Sequence, residues 1–139
     1  MGNGTPISRI MATNILAIDI CESLQSVYDL FQRYTIDDIP VTEKGILKGM
    51  ISRSTLNCIR PSIYKSTSVG KIMSRQFIYL SSENPITTAM EIFKMNIFKL
   101  IPIVDKKQTL VGILTPQHLS FSSNIKNRNR MSSEVNFNW

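Results

Sequence analysis

The chain has 139 residues, 42% hydrophobic and 19% charged, with a formal net charge of +6; a folded core follows and wholesale disorder is excluded. No run approaches the ~18 uninterrupted apolar residues of a membrane-spanning helix, and no basic segment followed by an apolar run marks a secretory signal, so a cytoplasmic chain without membrane insertion is expected. The positive balance favours anionic partners mildly and names none of them.

Met1-Gly2 begins like a myristoylation signal, but Pro6 stands where that pattern wants Ser or Thr. Ile7–Met11 reads as a short turn or helix, and Ile15–Ile18 as an extended apolar stretch. Leu24, Val27, Tyr28, Phe31 and Tyr34 then recur at helical spacing behind Ser23, a suitable N-cap. Two apolar strands follow, Ile39–Thr42 and Leu47–Ile51, joined by the polar turn Glu43-Lys44-Gly45. A second short helix starts near Ser54, and Arg60-Pro61 through Ser68 form a linker.

The same order then returns. Val69–Met73 is a second turn, and Phe77–Leu80 a second extended stretch. Asn84 is a candidate cap with Pro85 in the first helical position, ahead of the buried stripe Ile86, Ala89, Met90 and Phe93. Ile101–Val104 and Leu110–Leu114 are strands around the turn Asp105–Gln108, and a last helix starts near Gln117. Residues 122–139 are polar and read as a tail. Cys21 and Cys58 lack CxxC spacing, so they read as buried or half-buried thiols in a reducing cytosol, serving neither metal nor disulfide.

The chain is therefore an internal duplication. An offset of 62 carries Ile7–Met11 onto Val69–Met73, Leu30-Phe31 onto Ile92-Phe93, and Ile39-Pro40-Val41 onto Ile101-Pro102-Ile103. One inserted residue in the second turn makes the offset 63, and Gly49–Ser52 falls on Gly112–Thr115. A unit of about fifty residues buries too little surface to stand comfortably alone, whereas two can cover each other. The expected fold class is α+β: two pseudo-symmetric β-α-β-β-α repeats packed sheet to sheet. The expected boundaries are 1–60 (core 7–60) for the first repeat, 61–68 for the linker, 69–121 for the second repeat and 122–139 for the tail.

Over residues 7–120 this pattern resembles tandem cystathionine-β-synthase (CBS) domains, the Bateman module. The resemblance rests on Ile10-Met11 and Ile72-Met73, on Ile39-Pro40-Val41 and Ile101–Asp105, and on Gly49–Ser52 and Gly112–Thr115. It implies a regulatory, signalling module with two clefts between the repeats, a homodimer, and an adenine nucleotide (AMP, ADP or ATP) or related adenosyl ligand. A regulated enzyme or transporter is the implied partner. The family's nucleotide motif, Gly-apolar-x-Ser/Thr-x-x-Asp, is half kept. Ser52 and Thr115 stand at the hydroxyl position, but Thr55 and His118 replace the carboxylate, and neither accepts two ribose hydroxyl protons as a carboxylate does. The candidate ligand residues implied are Phe77, Ile78, Lys99, Ile101, Pro102, Thr115, Gln117 and His118, with Ser52 and Thr55 in the first copy.

Each of these has a plainer structural reading. Ser52 and Thr115 suit helix caps, Phe77 and Ile78 suit a core, and His118 suits a partly exposed helix start. No second histidine or cysteine cluster makes His118 a metal ligand. Lys99 precedes the middle strand of the second copy, the place where the resemblance to CBS domains implies that a cation meets phosphate. Asp37, beside Asp38, holds that place in the first copy and would repel it. No nucleophile elbow, Walker loop, GxGxxG or HExxH is present, so no enzyme is expected. Two alternatives remain in the sequence: a ligand-free interaction module, and weak nucleic-acid binding through Asn124–Arg130 with Phe137 and Trp139. So short a basic run reads first as a soluble tail. The dimer is expected to use the helix faces near Leu30, Phe31, Ile92 and Phe93.

Overall fold

The computed structural model describes residues 4–123. In chain order the elements are β1 (Ile18–Asp19), α1 (Leu24–Arg33), β2 (Asp38–Glu43), β3 (Ile46–Ser52), α2 (Arg53–Asn57), β4 (Leu80–Ser81), α3 (Ile86–Phe93), β5 (Ile101–Val104), β6 (Leu110–Leu114) and α4 (Pro116–Ser123). The strands form two three-stranded sheets, ordered β1-β2-β3 and β4-β5-β6, so the fold is α+β. The expected extended stretches are mostly irregular. Only their last residues reach a sheet, and Ile15 and Phe77 lie outside any strand.

One unit comprises residues 16–77 with 108–110. β1 runs parallel to β2, pairing Ile18 with Val41, and β2 runs antiparallel to β3. Lys44 and Gly45 both have positive φ (53° and 85°), the conformation that lets a two-residue turn follow the strand twist. Ser23 caps α1, its Oγ accepting the Ser26 N–H at 3.4 Å. The helix buries Leu24, Val27 and Phe31 and leaves Tyr28 exposed, its ring 5.6 Å from that of Tyr64. Ile39, Val41, Ile51 and Leu56 complete this core.

The other unit comprises residues 4–15, 78–107 and 111–123 among those described. β4 runs parallel to β5, pairing Leu80 with Ile103. α3 buries Ile86, Ala89 and Phe93 against Ile101, Ile103 and Leu114. The cap differs from expectation. Pro85 occupies the N-cap position with extended backbone, and the Asn84 carboxamide instead accepts the Ser81 N–H at 2.8 Å, closing the β4–α3 turn.

The head segments are crossed. Val69–Met73 sits in the core of the first sheet, with Val69 0% exposed, and Ile7–Met11 in the core of the second, with Ile7 0% exposed. Their hydrogen bonds correspond one to one. The Val69 N–H donates to Glu22 C=O (2.8 Å) and the Ile7 N–H to Asn84 C=O (2.9 Å). Met50 exchanges two backbone bonds with Ser74, and Ile113 exchanges two with Ala12. Met73 lies over Gly49 and Met11 over Gly112; a Cβ on either glycine would meet the methionine sulfur at 2.5 Å. Met11 and Met73 thus hold equivalent places, as do Gly49 and Gly112, but each methionine serves the other copy's glycine.

Both cysteines are exposed, contrary to the buried or half-buried expectation. Cys21 lies in the polar β1–α1 turn, where its N–H donates to the Asp19 carboxylate, and Cys58 caps the C-terminus of α2. Both positions are turns open to solvent. Phe31 and Phe93 are likewise core residues, so only Leu30 and Ile92, both half-buried, remain of the expected dimer face. The expected tail, including Asn124–Arg130, Phe137 and Trp139, lies outside the described residues apart from 122 and 123.

Candidate functional site

In the second copy the candidate site is built where β6 passes into α4. Ile113 and Leu114 are fully buried, Pro116 fixes the first helical turn, and Thr115 and His118 bracket it. Both are buried, Thr115 at 8% and His118 at 6% exposure, so His118 is not the partly exposed helix-start residue of the plainer reading. The Thr115 N–H donates to His118 Nδ1 at 2.9 Å. An amide N–H can only donate, so Nδ1 is unprotonated and the ring proton is on Nε2; the Thr115 hydroxyl also lies 2.9 Å from Nδ1. This is the returning arm of a capping box, with an imidazole in place of Glu or Gln. Burial lowers the imidazole pKa.

Of the other candidates, Ile101 and Pro102 are buried in β5, Ile78 is half-buried, and Lys99 and Gln117 are exposed. All of these belong to the unit of the second sheet; Phe77, half-buried, belongs to the unit of the first.

In the first copy Ser52 caps α2. Its Oγ accepts the Thr55 N–H at 3.1 Å and lies 2.9 Å from the Thr55 hydroxyl. Thr55 is exposed, and both hydroxyls are held within the cap. The first copy also carries a residue that the sequence reading passed over. The Arg53 guanidinium lies 4.8 Å over the Phe31 ring and donates to the carbonyls of Phe31 (3.0 Å), Tyr34 (3.2 Å) and Ile36. Its Nε also pairs with Asp37 at 3.5 Å. Arg53 thereby satisfies backbone acceptors at and just beyond the C-terminus of α1. Asp37, expected to repel phosphate in the first copy, is thus the ion-pair partner of Arg53. The available signal was Arg53 itself, because Pro116 stands at the matching place of the second copy.

Among the described residues no group of three His, Cys, Asp or Glu side chains could hold a metal ion. No described helix is long and apolar enough to cross a membrane.

The CBS domain family model matches residues 7–57 and 69–121. The chain belongs to the CBS domain family and carries two copies of the domain. It is 30% identical over 112 residues to the carnitine transport ATP-binding protein OpuCA of Listeria monocytogenes, covering 80% of this chain but only 28% of that protein. It is 25% identical over 130 residues to the CBS domain-containing protein YhcV of Bacillus subtilis, covering 92% of this chain and 87% of the relative. Among solved structures, CBSX2 in complex with AMP superposes with a TM-score of 0.75 at 21% identity, covering 90% of this chain and all of the other.

Proposed function

We propose that the chain is a non-catalytic regulatory module that binds an adenine nucleotide or related adenosyl ligand through its second copy. The observation that carries this reading is the grouping of Ile78, Lys99, Ile101, Pro102, Thr115, Gln117 and His118 in one unit. It is supported by CBSX2, a pair of the same fold that binds AMP. Lys99 supplies the cation for phosphate, Ile78, Ile101 and Pro102 an apolar wall, and Thr115 and Gln117 polar groups beside them. The module acts in the cytoplasm as a homodimer, using Tyr28, Leu30 and Ile92, and tunes an enzyme or a transporter.

Calorimetry with AMP, ADP and ATP tests the reading. At least one nucleotide should bind, and Lys99→Glu should weaken it at least about tenfold, since reversing a unit charge near phosphate changes the interaction by more than about 1.4 kcal/mol even when solvent-screened. Absence of heat with all three nucleotides sinks the proposal. Light scattering that finds only monomer at micromolar concentration removes the homodimer.

A second reading, an interaction module without ligand, is favoured by Met95 and Ile97, 52% and 68% exposed after α3. Their first-copy counterparts are Arg33 and Thr35, so the shared fold does not require apolar residues there. Nucleotide binding that survives Met95→Lys/Ile97→Thr unchanged separates the two readings.

A further inference from the structure

We infer that the Thr115–His118 contact is a pH-sensitive joint that holds the start of α4 only while the imidazole is neutral. The inference goes beyond nucleotide binding and requires no ligand. The Thr115 N–H must find an acceptor, and His118 Nδ1 supplies it at 2.9 Å. A proton on Nδ1 converts the acceptor into a donor, and two donors then face each other at 2.9 Å. The same proton places a positive charge in the first turn of a helix, the end that the helix dipole already makes positive. Thr115 and His118 are both buried, so water has little room to take over the lost bond.

The charged groups on the surrounding elements are few. β5, β6 and α4 bring no acid or base besides His118 itself. α3 brings Glu91, paired with the following Lys94 at 3.4 Å, both largely exposed. The Ile7–Met11 segment brings Arg9, and Lys99 precedes β5; both are exposed. None of these is a buried carboxylate placed to stabilise an imidazolium.

The sign follows from burial. A folded-state pKa below the unfolded value of about 6.5 means that the unfolded chain binds more protons. The His118 contribution is then complete above about pH 6.5 and is lost as pH falls below that value towards the folded pKa.

His118 is the only histidine in the chain, so one imidazole resonance reports it. Proton NMR titration of the full chain should place its midpoint below 6.5, with the Thr115 amide shift moving at the same midpoint. A midpoint at or above 6.5, or a Thr115 amide that does not follow, overturns the joint. Thermal melting gives the second measurement. His118→Gln supplies a neutral acceptor at every pH. Between pH 7.5 and 5 the parent should lose on the order of 5 °C more than this variant. Equal losses in the two proteins overturn the inference. If the variant does not fold, the titration decides.

Discussion

A methyl group on Gly112 would sit 2.5 Å from the sulfur of Met11 and 3.0 Å from the Ala12 carbonyl; on Gly49 it would sit 2.5 Å from the sulfur of Met73 and 2.8 Å from the Ser74 carbonyl. The thioethers can swing aside, but the carbonyls belong to backbone pairs that hold the crossing segments. Gly49→Ala and Gly112→Ala should therefore each cost about 1–3 kcal/mol, the usual penalty for overfilling a packed site. Urea unfolding measures it, and a change within error would show that the crossing segments yield. Arg53 makes the complementary case. Its half-exposed guanidinium gains little from Asp37 alone, since surface pairs contribute at most about 1 kcal/mol. Its three carbonyl contacts are the larger part. Arg53→Met keeps the stem over Phe31 and removes the donors, and should cost about 1–3 kcal/mol by the same assay. Arg53→Lys should recover only part of that, because one ammonium cannot span three carbonyls and the ring as a planar guanidinium does.

At the level of elements, the crossed segments separate sequence position from structural address. Ile7 precedes every element of the first copy, yet it is fully buried among Ile86, Ala89 and Leu114. Ile7→Ala should cost about 2–5 kcal/mol. Amide exchange should then quicken in α3, β5 and β6 while α1, β2 and β3 keep their protection. Equal loosening in both sets would contradict the observed packing. The strands, the main helices and the repeat offset were legible because binary pattern and local turn chemistry determine them. The stripes Leu24-Val27-Phe31 and Ile86-Ala89-Phe93 can be read without coordinates. The destination of Ile7–Met11 was not legible, because both copies offer the same apolar partners and a glycine at the same place. The capping of His118 against Thr115 was also hidden. Its motif position marked His118 for attention, but burial depends on packing from elsewhere in the chain. The exposed cysteines were misread for the same reason: a hydrophobic average places thiols inside, and only the fold shows that both lie in turns open to solvent.

For the whole molecule, a cut in the linker should separate pieces that cannot each complete a core. Residues 1–60 would carry the first sheet without Val69–Met73, and residues 61–139 the second sheet without Ile7–Met11. Each piece alone should lack a cooperative melt by circular dichroism, and an equimolar mixture should regain one. A cooperative transition in either isolated piece would show that the crossing segments are dispensable. The crossing also sets an order of events in time. Ile7 leaves the ribosome ahead of both copies, and Ile113 and Leu114 are made more than a hundred residues after it. At about 5–20 residues per second, the segment waits roughly 5–20 s for its place in a core. During that interval Ile7, Ile10 and Met11 gain their native contacts only in stages, first with Asn84, Ile86 and Ala89 and last with Gly112 and Ile113, so a segment that precedes the whole first copy is fixed only as the second copy is completed.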